Sequence, residues 1–551
     1  MLSALVTSAA ALILLTQSPA PQPTKIDEKQ PLPCTVTGRI VAAADGTPLK
    51  SSGVALIPAH RAQGSQSYAA QSDSSGRFVI KDVPAGRYQF LATHTGYVDQ
   101  YYQSNASDEG AILALQAGQE VKDILFRMTL AAVITGRVND EDGEPMASVQ
   151  VAALRRPTED EMEEWEVFSS GRQELYPAAV AQTDDRGQYR IFGLRAGEYY
   201  IKAVDQYTPT FQTGSQWALH EALGSQYAAV YYPGVTQVGQ AETVPLSSGQ
   251  EAQADFAMRR TKTVDISGRI ITVAGKPGDV YVYLEELPSA DFGVNQGVTA
   301  DANGEFKIKS VGPASYLLHA QQHLSAERSY HASQKIEVGS ENIDSITLAL
   351  GRGVTISGRI QLSGTGTVDF ERMSLMLISH DDPSAYAWSR PKEDGTFQFM
   401  DIPDGSFAFL VNGLEQKWYL KSVRSGTEDV LAKGLEVEKA ENSGTIQVVV
   451  SNNSAELAGS VTQDDKPMIG ARVRLTPDPE TRFNRFRSST AYTDQSGHYS
   501  FVGIAPGQYR VIAKTPGPDR ENASSSDPKS VGLSEHDRKN IELTVALPQT
   551  P

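Results

Sequence analysis

Nine histidines and one cysteine are the material from which a metal or nucleophilic site would have to be built in this 551-residue sequence. His319-Ala-Gln-Gln-His323 sets two imidazoles at i and i+4, a spacing that presents both to one metal ion when the backbone is helical. The surrounding residues read as the end of a strand, where the same spacing holds the two rings ~13 Å apart. His220-Glu221 has no later histidine at helical spacing, and no His-x-x-Glu pair is followed by a third ligand. Cys34 stands alone, which removes an internal disulfide framework and a cysteine-based zinc site. The Asp-x-x-Gly tetrads, Asp301-Ala-Asn303-Gly304 above all, resemble fragments of calcium loops. A calcium ion takes roughly six or more oxygens, and each tetrad offers about three. They read better as turns, with Asp accepting backbone N–H bonds and Gly free to take a positive φ. A nucleophile elbow, a phosphate loop and a dinucleotide fingerprint are all missing from strand-to-helix context. No catalytic residue, metal or cofactor is expected.

Aromatic side chains offer a different chemistry, stacking against sugar rings. Tyr101 and Tyr102, and further along Trp217, Tyr231 and Tyr232, stand beside acidic and amide residues and are the candidate ligand-binding residues. The competing reading is a satellite core that pins a long loop to the fold. Two insertions lengthen this part of the chain. Pro157-Thr158-Glu-Asp-Glu161 reads as a capping box before Met162, Trp165 and Phe168 on a short helix, and Ser215 to Gly224 reads as another.

The elements that would carry these residues are strands. Asp184 to Ala203 reads as a turn, a strand with Tyr189 and Ile191 on one face, a second turn at Leu194 to Gly197, and a second strand through Tyr199, Ile201 and Ala203. Similar units begin at Asp73, Asp301 and Asp494. A fourth lies around Gly395, with Lys392 in place of the turn Asp and Asp394 near. Each is preceded by an opening strand: Val36-Thr-Gly38-Arg-Ile40, Ile134-Thr-Gly136-Arg-Val138, Ile266-Ser-Gly268-Arg-Ile270, Ile356-Ser-Gly358-Arg-Ile360 and Leu457-Ala-Gly459-Ser-Val461. With period two the glycine faces the core and the arginine faces solvent. The space above the glycine is assigned to the aromatic of the last strand of the unit, Tyr199 for Gly136. Closing strands follow at Ile124-Leu-Phe126, Ala254-Asp-Phe256, Ile346-Thr-Leu348, Ile446-Gln-Val448 and Ile541-Glu-Leu543.

The opening glycines recur at intervals of roughly 90–130 residues, far beyond the period of a solenoid repeat. Whole domains in tandem are therefore expected, each an all-β, two-sheet antiparallel sandwich. The expected boundaries are a signal peptide over 1–20, a linker over 21–32, and sandwiches over 33–130, 131–260, 261–351, 352–452 and 453–548. The signal rests on the apolar run Ala4–Leu15, too short to span a bilayer, and on small residues at Ser18 and Ala20. Hydrophobic content of 40% and charged content of 21% suit folded domains. A net charge of −17 argues against nucleic acid or an anionic membrane as partner. No transmembrane segment is expected.

Taken together, Gly-Arg-Val, Gly-x-Pro, Asp-x-x-Gly-x-Tyr and Gly-x-Tyr resemble carboxypeptidase regulatory-like domains, over nearly everything from Cys34 to Leu547. The resemblance implies a transthyretin-like sandwich, akin to carbohydrate-binding folds, that accompanies peptidases or outer-membrane receptors and is not itself catalytic. Strings of such domains after a signal peptide resemble exported bacterial proteins. The expected role is a secreted, non-enzymatic structural or interaction module of the cell envelope, with an envelope protein or polysaccharide as partner. The alternative is carbohydrate binding through the aromatic loops. Accessory domains of a peptidase system come third, since no catalytic domain shares the chain.

Overall fold

The computed structural model describes residues 32–59, 66–104, 110–157, 175–205, 225–227, 229–272, 276–287, 297–325, 328–351, 353–380, 386–438, 445–481, 483–515 and 524–546. The signal segment, all but the last residue of the linker, Trp217 and the two expected helices of the insertions lie outside these residues. Among the described residues the only α-helix is the single turn Val430–Lys433.

Turn chemistry starts each unit. Asp184 Oδ1 accepts the N–H groups of Arg186 and Gln188 at 2.9 and 2.8 Å, and Gly187 takes a φ of 71°. Asp73, Asp301 and Asp494 repeat the two bonds at their own turns. In the fourth copy Lys392 keeps the backbone bonds of the turn, while Asp394 takes the N–H and the hydroxyl of Thr396. The missing carboxylate is thus supplied from two residues later.

The strands sort into paired sheets. In the first pair Cys34–Ala42 lies between Arg77–Val83 and Glu120–Met128, and the facing sheet runs Tyr68–Gln71, Gly53–Pro58, Gly86–Thr93, Gln100–Tyr101. The later pairs repeat this plan, and the fourth adds Tyr419–Ser425 and Glu428–Asp429 to its first sheet. Pairing is antiparallel except at one place in each repeat, where the closing strand returns to lie parallel to the opening strand. Five large apolar cores fill the described sandwiches, one between each pair of sheets. Cys34 is buried in the first, its thiol 2.9 Å from the Gln116 carbonyl oxygen.

The opening glycines face inward and the arginines beside them face solvent, as period two requires. The ring over Gly136, however, belongs to Tyr189 and not to Tyr199. A Cβ built on Gly136 would run into the Tyr189 ring and the Ala254 carbonyl. The physical reason is register: Tyr189 sits directly across the antiparallel ladder from Gly136, and cross-strand partners share a face. Phe78, Phe306, Phe397 and Tyr499 cover Gly38, Gly268, Gly358 and Gly459 in the same way. Tyr199 lies in the facing sheet, where its hydroxyl donates to the Arg195 carbonyl four residues back at 3.0 Å. Tyr88, Tyr316 and Tyr509 make the same i to i−4 bond, and Phe407 takes that position in the fourth repeat.

Candidate functional site

The expected aromatic residues divide by the pleat of one short strand. Tyr101 pairs with Leu91, and Tyr231 pairs with Lys202, the equivalent residue of the second repeat. Their neighbours Tyr102 and Tyr232 point to the opposite face and join the cores. Tyr102 packs on Phe90 and Phe126, and the Tyr232 ring meets Phe256 edge-on at 6.1 Å. Tyr231 is on the outer face but 3% exposed, enclosed by Ala152, Leu154 and Leu175, with the Lys202 ammonium 5.3 Å from its ring centroid. Burial takes the ring faces of Tyr102 and Tyr231 out of reach of a sugar, and the satellite core accounts for Tyr231. Tyr101 is half-buried, and Trp217 lies outside the described residues. The four described candidates therefore form no common platform.

The same outer sheet face differs between the first two repeats. In the second it is covered by the satellite core. In the first it is a shallow groove of about 360 Å³ lined by Gly53, Ala55, Ala69, Gln71, Leu91 and Thr93. Tyr101, across the ladder from Leu91, shares that face.

Ionisable side chains gather on the facing sheet of the third repeat. His319 is fully buried in the strand Ala314–Ser325, its ring stacked on Tyr283 with centroids 4.7 Å apart. Its Nε2 lies 2.9 Å from Glu285 Oε2 and its Nδ1 3.3 Å from His331 Nε2. Both ring nitrogens thus face fixed partners on neighbouring strands. Among the described residues no group of three or more His, Cys, Asp or Glu side chains is placed to hold a metal ion. One residue along, Glu286 Oε2 sits 3.1 Å from Lys202 Nζ, joining the second sandwich to the third. Lys202 is almost fully buried. Burial works against its charge, but Glu286 and Tyr231 outweigh it and hold the ammonium above its ordinary pKa. Neither Glu285 nor Lys202 stands out in the sequence, because both read as solvent-facing positions of alternating strands.

The Asp-x-x-Gly carboxylates are taken up by their own turns. Asp184 is held below the ordinary carboxylate range by the N–H groups of Gln188 and Arg186, and Asp73 by the Ser75 hydroxyl and then the Arg77 and Ser75 N–H groups. An oxygen that accepts two or three internal hydrogen bonds is poorly placed to serve a cation as well.

With this geometry in view the relationship to known proteins is direct. A model of the carboxypeptidase regulatory-like domain matches residues 35–122, 133–259 and 456–546, more than half of the chain. The chain belongs to this family. The three matched stretches are the first, second and fifth sandwiches. The third and fourth, outside the matched stretches, have the same inward glycine, cross-strand ring and parallel closing strand. No curated protein sequence matches the chain. Among solved structures, the minor pilin GBS52 of Streptococcus agalactiae is 15% identical over 42% of this chain and 97% of its own, with a TM-score of 0.22. The Bacillus anthracis TIE protein is 11% identical over 75% of this chain and 73% of its own, with a TM-score of 0.15. A cohesin–X-dockerin complex from Acetivibrio cellulolyticus is 25% identical over 18% of this chain and 58% of its own, with a TM-score of 0.12. Among the described residues no helix is long and apolar enough to cross a membrane.

Proposed function

We propose that this chain is an exported array of five sandwich domains, bounded at 33–130, 131–260, 261–351, 352–452 and 453–548, that works as a structural or interaction module of the cell envelope rather than as an enzyme. One observation carries the reading. The side chains with the strongest chemical potential are built into the sandwiches or the joints between them. The turn aspartates hold their own loops, His319 is locked between Glu285 and His331, and Lys202 joins the second sandwich to the third. Export rests on the apolar run Ala4–Leu15 and on a cysteine usage of one.

Fractionation of the native cells, with mass spectrometry of the amino terminus and crosslinking before lysis, tests this. The expected result is envelope material that begins after residue 20 and is crosslinked to an envelope protein or polysaccharide. Cytoplasmic material with Met1 intact would overturn it.

Carbohydrate binding is a second reading favoured by one observation, the open groove of the first sandwich with Tyr101 on the same face. A glycan array with the full chain should then show binding that Tyr101→Ala abolishes. Binding that survives this change would move the site elsewhere, and a blank array would leave the module reading alone.

A further inference from the structure

We propose that the chain is clasped end to end, the fifth sandwich capping a free strand edge of the first within one molecule. The edge is Ile112–Leu115, which pairs with Gly86–Thr93 on one side and, among the described residues, has no strand of its own sandwich on the other. An open edge of this kind presents unpaired N–H and C=O groups and invites pairing with another segment. Here the turn that opens the fifth repeat's unit fills it. Ile112 bridges in parallel to Asp494, and its N–H donates to the Thr493 carbonyl at 3.3 Å. Two residues on, the Gln495 carboxamide takes over from backbone. The Ala114 N–H donates to Gln495 Oε1 at 3.0 Å, and Gln495 Nε2 donates to the Ala114 carbonyl at 2.8 Å. The side chain thus answers one residue of the edge as a peptide group would.

The residue type is specific to this turn. The equivalent positions of the other four turns hold Ser74, Asp185, Ala302 and Glu393. None of these has a carboxamide, the one side-chain group that donates and accepts in the geometry of a peptide. Apolar packing supports the contact independently. Ile469 of the fifth sandwich packs against the core of the first. Gly470, at a φ of 74°, brings its backbone so close that a Cβ there would lie 3.1 Å from the Gln103 carbonyl oxygen and 3.5 Å from the Ala111 Cβ. Arg87, on the strand beside the edge, has its pKa lowered by burial, and the Asp494 charge across the contact opposes that lowering. Sites 381 residues apart in sequence are joined by hydrogen bonds, packing and charge together. A clasped array is a compact platform, in which this edge is closed to other strands and the outer faces of the sandwiches remain to meet partners.

The test uses the full chain. Hydrogen exchange followed by mass spectrometry reads the amides of Ile112–Leu115, and small-angle X-ray scattering reads the maximum dimension. The clasp requires protection of these amides in monomeric protein. Gln495→Ala keeps Asp494 and Gly497, so the turn still folds, and it should cost the segment protection. Adding Ile469→Asp places a charge in the apolar part of the contact and should lengthen the particle. Gln495→Glu retains an acceptor for the Ala114 N–H but sets an oxygen against the Ala114 carbonyl, so it should behave as the alanine variant does. Fast exchange of Ile112–Leu115 in the unaltered chain would overturn the proposal. So would an unchanged maximum dimension in the double variant, or protection that appears only in a dimer.

Discussion

The second and fifth sandwiches carry a tyrosine over the inward glycine, and the first and third carry a phenylalanine. That one hydroxyl goes with a different closing strand. In the second sandwich the Tyr189 hydroxyl donates to the Ala254 carbonyl, and the strand is broken into Glu251–Gln253 and Phe256–Ala257. The Arg137 N–H then turns to the Asp255 carboxylate at 2.8 Å. In the fifth, Tyr499 donates to the Ile541 carbonyl at 2.7 Å, and the strand is again in two pieces, Arg538–Asn540 and Leu543–Thr544. Register against the opening strand is unshifted across both breaks. The first and third sandwiches keep the closing strand whole, Glu120–Met128 and Ile343–Leu350, but slip register by one residue just before the glycine. The extra residues, Asp123 and Ser345, take positive φ values of 61° and 67°. The closing strand must bring a carbonyl against the glycine in every repeat. In the second and fifth repeats a hydroxyl meets that carbonyl, and in the first and third a bulge accommodates it. In the fourth Phe397 covers the glycine, and the described closing strand pairs from Gly358 onward with no register shift.

The largest effects should come from the glycine and its ring. Tyr189→Ala opens a hole in a filled core and should cost about 3–5 kcal/mol. Gly136→Val should cost at least the ~1–3 kcal/mol of ordinary overpacking, because it meets backbone at Ala254 as well as the ring. In the double variant the valine fills part of the hole, so the second sandwich should be more stable than the sum of the singles. The Ala254 carbonyl stays in place, so the recovery is partial. Strict additivity in the urea transition of this sandwich would separate the two residues.

A smaller change isolates the hydroxyl. Tyr189→Phe leaves the Ala254 carbonyl without that donor and should cost about 1–3 kcal/mol. The reciprocal Phe78→Tyr buries a hydroxyl in a repeat built for none, at a similar cost of about 1–3 kcal/mol. Deleting Asp123 alongside it should recover part of the loss, since the bulge and the hydroxyl are alternatives. A deletion that only adds to the damage would break the comparison. Tyr199→Phe should cost least of the ring changes, about 0.5–1.5 kcal/mol, because Phe407 holds the same position without a hydroxyl.

The smallest expected effect is on acid stability. Asp184 is held below its ordinary pKa by the Gln188 and Arg186 N–H groups, so it binds its proton less readily folded than unfolded. Its contribution is therefore present above the unfolded value and is lost as pH falls below about 4 and through the folded value. Asp184→Asn should lower stability at neutral pH and flatten the acid limb of the second sandwich's stability curve. An acid limb that keeps its slope would assign that limb to other carboxylates.

Much of this architecture was legible in the sequence. Turn, alternation and spacing place the opening strand, the Asp-x-x-Gly turn and both strands after it, because each is a local pattern with a period of two. What the sequence does not carry is which ring meets which glycine. Tyr189 and Tyr199 both face the core, and only the ladder register puts Tyr189 across from Gly136. The aromatic pairs Tyr101-Tyr102 and Tyr231-Tyr232 mislead for a related reason. Adjacent residues of a strand point to opposite faces, so each pair splits between core and outer surface. Gln495 reads as an ordinary turn residue until the distant edge it caps is in place.

The central claim is that each sandwich is stabilised from within, by its own glycine, ring and closing carbonyl, and that the array joins such units at defined contacts. Hydrogen exchange of the full chain carrying Tyr189→Phe tests this most directly. Faster exchange should be confined to segments between residues 131 and 260, with the cores around Phe78, Phe306, Phe397 and Tyr499 unchanged. A rise spread evenly over all five cores would contradict the account, because it would make the chain one cooperative body rather than an array.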